Sequence, residues 1–199
     1  MKKRRFLLPK ISGMLCTQSG QINWFMGFFC VLILLLLICT GLQLKQYQVT
    51  SGYMEDALAA SNLASAVVDL LEYGISHKIQ IQNPLHAYEI YCHALKGNLN
   101  LDDAWQCRNT RAIAGPVRIV NYIIYNVADE NVKISMVKED GSVYQSNGSL
   151  GTVKAPNGVT IENTSIYSEI TCPVRGIWNL EVMAEKGKLV DIVAEGNEL

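Results

Sequence analysis

NWFMGFFCVLILLLLICTGLQLKQYQVTSGYMEDALAASNLASAVVDLLEYG, Asn23 to Gly74, begins as a run of hydrocarbon side chains and ends with the pattern of a helix in water. No charged residue occurs between Ile11 and Leu44, and Trp24 to Leu42 is almost continuously Phe, Leu, Ile, Val and Cys. The 19 residues of that run, as a helix rising ~1.5 Å per residue, cover ~28 Å, close to the thickness of a hydrocarbon core. A buried core helix rarely needs so long a stretch without charge. A cleavable secretory signal has an apolar region of about 7–15 residues closed by a small-x-small site. This run is longer, starts late and has no Ala-x-Ala exit, so it reads as a retained membrane anchor.

The flanks orient it. Lys2, Lys3, Arg4, Arg5 and Lys10 precede the anchor with no acidic residue among them, and positive flanks stay in the cytoplasm. Residues 1–22 are therefore expected as a basic cytoplasmic leader and 23–44 as the transmembrane helix, with Trp24 at the inner boundary and Lys45 and Tyr47 at the outer one. The rest of the chain carries 12 of the 17 Lys and Arg against all 18 Asp and Glu, a net charge of −6. An acidic exported surface excludes a nucleic-acid partner, which requires a basic face.

Beyond the anchor, Met54, Ala57, Leu58, Ala60, Ala64, Val67, Val68 and Leu71 recur at helical spacing, while Glu55, Asn62, Ser65, Asp69 and Glu72 lie opposite. This predicts an extended amphipathic helix over 45–74, weakened at Gly52 and stopped at Gly74. Trp24 to Tyr73 would then be one rod of ~75 Å.

Residues 75–115 read as a helix and loop region. Asn83 is placed to cap and Pro84 to occupy the first turn of a helix running to Lys96 and closed by Gly97, with Leu85, Tyr88, Tyr91, Cys92 and Leu95 on its core face. From Pro116 the period changes to that of strands, predicting an antiparallel β domain over 116–199. VRIVNYIIYNV is β-branched and aromatic; NVKISMVKEDGSVYQ alternates around an Asp140-Gly141 turn; a last hairpin is expected about Lys186-Gly187. No long helix separates these strands, so the class is α+β, with five or six antiparallel strands after the helices.

A basic leader, Ser19-Gly20-Gln21 ahead of an apolar helix, a small-residue continuation and a compact α+β domain resemble a type IV pilin-like pseudopilin. The group most similar is the TadE-like minor subunits of Tad (Flp) pili. The resemblance covers Gln18 to about Glu72 and the sheet only loosely. It implies processing between Gly20 and Gln21, a bacterial cell-membrane location with an extracytoplasmic C-terminal domain, and a structural role in a pilus or secretion filament. Its implied partners are membrane lipid, other pilin-like subunits and pilus assembly proteins. The helix would serve first as anchor and then as filament spine, with Ala57, Ala60, Ala64, Val67 and Leu71 as the assembly face where small residues allow close approach. One departure stands out. These families usually place a Glu five residues after the cut; here that residue is Phe25, and no carboxylate occurs before Glu55. Either Gly20 is not cut, or the subunit sits where no such pair is needed, as at a tip.

Catalytic constellations are thin, and neither an enzyme nor a cofactor is expected. His86, Glu89 and His93 fall on one face of the second helix, where a metal site can be drawn, but an exposed polar stripe with a Glu89–His93 pair is the simpler reading. His77 reads as solvated, and Asp102 and Asp103 as a helix start. Of the six cysteines, Cys16 precedes the anchor, Cys30 and Cys39 lie in it, and Cys92, Cys107 and Cys172 follow it. A Cys92–Cys107 disulfide closing a loop with 14 residues between them would contribute ~3 kcal/mol; three reduced thiols are the competing state. The competing function is a single-pass membrane-tethered extracellular binding or sensing domain with Trp178, Tyr122, Tyr125 and Tyr167 as its ligand face, although alternation in strands more often buries such aromatics.

Overall fold

The computed structural model describes residues 16–69, 73–75, 79–108 and 112–193. The basic leader charges, His77, Leu71 and Glu72 lie outside the described residues. Helix α1 runs Cys16–Ser65, 50 residues without a break. The chain divides into two compact units, Met1–Leu44 and Lys45–Leu199.

In the first unit, α1 is long and apolar enough to cross a membrane: its most apolar window has a mean hydropathy of 2.8 and no part of that window is buried. Trp24, Phe28 and Leu37 all face outward. Such a surface is stable only against lipid or against other apolar helices.

The second unit is α+β. After α1 come helix α2 (Pro84–Asn98) and strands β1 (Arg118–Ala128), β2 (Asn131–Val137), β3 (Val143–Ser149), β4 (Ser165–Arg175) and β5 (Glu181–Asp191). They form one five-stranded sheet in the order β3-β2-β1-β4-β5, with every neighbour antiparallel. A bulge at Val120 breaks the β1–β4 register between Ile119 and Asn121.

Local signals were accurate where chemistry is local. The Asn83 side chain accepts from the His86 amide at 3.1 Å, and Pro84 opens α2. The Asp140-Gly141 turn joins β2 to β3, closed by Lys138 N–H to Ser142 O at 3.0 Å and Ser142 N–H to Asp140 Oδ1 at 2.9 Å, with Gly141 in the left-handed region at φ 78.

The sheet is covered on both sides. One face, with Tyr122, Ile124, Val137, Ile166, Ile170 and Cys172, packs against Met54 and Leu58 of α1 and Tyr88, Tyr91 and Leu95 of α2. Tyr88, Tyr91 and Tyr122 form an aromatic cluster there, Tyr91 and Tyr122 with ring centres 4.8 Å apart. The other face carries Ile123, Tyr125, Val132 and Tyr167, covered by Ala155 and Ile161 from the β3–β4 connection.

Three expectations are corrected. First, α1 ends at Ser65, not Gly74. The Ser65 hydroxyl donates to Asn62 O at 2.9 Å and accepts from Tyr122 at 2.9 Å, and Val67 N–H turns to Ser65 O. A serine that bonds nearby backbone competes with the helix ladder, and the β-branched Val67 and Val68 follow it. Second, Lys186-Gly187 is no turn: β5 passes straight through, with Gly187 opposite Glu169. Its glycine makes room, since an added Cβ would meet Tyr167 Cζ at 2.8 Å. The turn lies instead at Gly176–Leu180, closed by Gly176 N–H to Leu180 O at 2.9 Å. Third, Leu85 is exposed, and Ala87 takes its place on the core face of α2.

Candidate functional site

Within the second unit α1 has two unlike sides. The buried side is Thr50, Met54, Ala57, Leu58, Ser61, Asn62 and Ser65, a 3–4 repeat laid on the sheet. Asn62, expected on a solvated face, is fully buried: its Nδ2 donates to Lys188 O at 3.0 Å and Ile166 O at 3.3 Å, joining the helix to β5 and β4. Ser61 accepts from Asn98 Nδ2 at 3.0 Å and Tyr53 donates to Asn98 O at 2.6 Å, so the end of α2 is tied to α1 as well. Lys186 and Glu55 pair across the edge at 3.0 Å, and that ammonium holds the Glu55 carboxyl below its ordinary range.

From Val49 onward the exposed side carries one acidic residue, Asp56, among apolar and small ones. Val49 is 72% exposed and Leu63 62%, with Tyr53 also uncovered and Ala60 and Ala64 beside them. The small-residue face drawn from sequence is therefore split. Ala57 belongs to the core, Ala60 and Ala64 are open, Val67 lies past the helix end, and Leu71 is outside the described residues. Gly20 and Gln21 fall in the first turns of α1.

The disulfide is corrected too. No bond joins Cys92 to Cys107. Cys107 Sγ sits at Leu99 O, 3.6 Å away, seven residues and ~10 Å along the helix axis from Cys92. Cys172 Sγ rests 3.9 Å from Met54 Sδ, and burial pushes its thiol up to about 11. A thiol so placed is not a nucleophile near neutral pH.

His86 Nδ1 and Glu89 Oε2 stand 3.6 Å apart, both exposed; the pair that forms on α2 is thus spaced by three residues and leaves out His93. Among the described residues no group of three or more His, Cys, Asp and Glu is placed to hold a metal. Asp102 Oδ1 accepts from Gln106 N–H at 2.8 Å and shapes a turn. Sequence alone gave no sign of a carboxylate pair, Glu169 with Glu185, where β4 meets β5: their repulsion and shared hydrogen bond raise Glu185, and Asn121 donates to Glu169 at 2.6 Å. Glu185 is exposed and Glu169 half-buried, so the pair lies at the surface.

Comparison with family models, curated proteins and solved structures found no match. Of the four aromatics considered for ligand binding, Tyr122, Tyr125 and Tyr167 are buried in the two cores, and only Trp178 is exposed. Trp178 lies in the β4–β5 turn with Ile177 and Leu180 beside it, also exposed. A cleft of about 300 Å³ with an almost wholly apolar lining opens nearby, between Tyr47, Ser51 and Met54 of α1 and Val174, Val182 and Ala184 of the hairpin.

Proposed function

We propose that the chain is a membrane-anchored, pilin-like minor subunit of TadE type, acting structurally in a Tad or type IV-like filament or secretion assembly. The observation that carries this reading is the state of α1. A fully uncovered apolar segment continues, in one helix, into a segment whose inner side is consumed by its own sheet and whose outer side keeps Val49, Tyr53 and Leu63 exposed around Ala60 and Ala64. A single-chain tether needs the first feature and has no use for the second. Small residues flanked by exposed apolar ones are what close helix–helix approach requires. On this reading the acidic domain lies outside the cytoplasmic membrane and other pilin-like subunits are the partners.

The test is replacement of Ala60 and Ala64 by Leu. Both side chains are exposed, so the domain should keep its abundance and its unfolding midpoint, while co-assembly with other subunits, read by crosslinking in the native membrane, is lost. Unchanged crosslinking would sink the assembly face. Intact-mass determination of the N-terminus is the companion measurement: a chain starting at Gln21 supports filament-type processing, and one starting at Met1 favours the tethered binding domain.

A further inference from the structure

We infer that the crevice between α2, Trp105 and the start of β1 binds a free α-amino acid, its carboxylate on Arg118 and its ammonium on Glu139. The inference is independent of the assembly role and lies wholly within the second unit. The crevice measures about 300 Å³ and is lined by Tyr88 and Cys92 of α2, Trp105 of the turn that follows it, Arg118 and Ile119 of β1, and Glu139 just after β2. Ligand pockets span roughly 300–1,000 Å³, so this volume selects a small molecule. The backbone here is held in uncommon conformations. Among the described residues Asn100, Asp129 and Asn179 also have positive φ, but their short polar side chains tolerate the left-handed region; Trp105, at φ 60, is the bulky one. Its N–H bonds Asp102 O at 3.1 Å, its carbonyl accepts from Val117 N–H at 3.0 Å, and Lys96 Nζ stands 5.0 Å from the ring centre. On β1, the bulge at Val120 interrupts the strand two residues beyond Arg118. Backbone strain and bulges concentrate at binding sites, where they aim side chains.

The charges decide the class of ligand. Arg118 and Glu139 are both exposed, and among the described residues neither forms an ion pair, with the other or with any third group. Lys96, the remaining cation beside the crevice, is committed to Asp103 at 3.6 Å. The Glu139 charge reaches the Tyr88 hydroxyl, which burial, the Cys92 thiol and then this carboxylate hold above its ordinary range. One cation and one anion, unpaired and apart beside two aromatic rings, fit a molecule that carries both charges on a short apolar body. A guanidinium takes a carboxylate through two parallel hydrogen bonds, and a carboxylate takes an ammonium. A ligand with a single charge would leave one of the two side chains unmatched.

The experiment uses the full chain in detergent micelles, with each of the standard amino acids in turn as probe and ligand-observed saturation-transfer NMR as the readout. At least one is expected to bind. Its des-amino acid and its decarboxylated amine should each bind about tenfold or more weakly than the parent amino acid, because each loses one charge-assisted pairing. Arg118→Gln and Glu139→Gln should each weaken binding to the same degree and leave the urea midpoint unchanged, both side chains being exposed. The bound amino acid should also slow alkylation of Cys92, followed by peptide mass spectrometry, and should no longer do so in Arg118→Gln. Absence of binding by every amino acid overturns the inference. Equal binding of either analogue overturns it as well, since one charge then suffices. Binding that survives both substitutions, or that leaves Cys92 alkylation unchanged, places the amino acid elsewhere and overturns the assignment to this crevice. None of these outcomes bears on the assembly face, which the Ala60 and Ala64 replacements test separately.

Discussion

Asn62 shows what one side chain settles. Its amide reaches Lys188 O and Ile166 O from inside a helix, so Asn62→Ala removes two buried hydrogen bonds and leaves a gap over the sheet. The expected cost is about 1–3 kcal/mol, read as a lower urea midpoint for the full chain in detergent. Gly187→Ala should cost a comparable amount, because its methyl group meets the Tyr167 ring. Neither role was legible in the sequence. A carboxamide reads as polar and a Lys-Gly pair as a turn, and both readings fail for the same reason: the partner is a strand more than a hundred residues away, or a ring on the neighbouring strand. Tyrosine supplies the pH prediction. Burial raises Tyr125 and Tyr167 from the ordinary value near 10 to about 12, and raises Tyr88, Tyr91 and Tyr122 further. The folded state thus holds protons that the unfolded chain releases, so stability is full below about pH 10 and falls as pH rises toward 12. The tyrosinate absorbance of these five buried side chains should appear together with loss of tertiary structure; complete ionisation of every tyrosine in the folded chain would contradict it.

At the level of elements, α1 is the one whose reading changed most. Periodicity located the helix and its amphipathic character, but the face that meets the core is set by the sheet, and neighbouring 3–4 stripes on one helix look alike in sequence. Ala57 and Ala60 separate the two faces experimentally. Leu at buried Ala57 overpacks the core and should destabilise the chain by about 1–3 kcal/mol. Leu at exposed Ala60 should change stability by less than about 0.5 kcal/mol, with its effect confined to assembly. By contrast, the start of α2 and the β2–β3 turn were readable because Asn83, Pro84, Asp140 and Gly141 act within three or four residues of themselves. The Gly176–Leu180 turn was missed because its apolar sequence resembles strand. Cys92 and Cys107 illustrate the limit of spacing arguments: loop length permits a bond, but Cys92 lies within α2 and Cys107 packs at Leu99, beyond the helix end. Alkylation of the native chain should label half-buried Cys92 first, with Cys107 and Cys172 reacting on unfolding.

For the molecule as a whole, composition averages concealed the division that matters, since a basic leader, an uncharged stretch and an acidic remainder sum to a net charge of −1. The contacts that hold α1 to its domain run almost from one end of the described chain to the other: Gln46 to Arg175, Glu55 to Lys186 and Asn62 to Lys188, separations of 129, 131 and 126 residues. This ordering has a consequence in time. A ribosome adding about 5–20 residues per second completes the apolar stripe of Met54 and Leu58 on the order of 10 s before it makes the strands that cover it. During that interval the nascent helix has a greasy flank and no sheet, and the domain cannot close until β5 has been made. A chain truncated before β5 should therefore be an early target for proteases and chaperones, however intact its anchor.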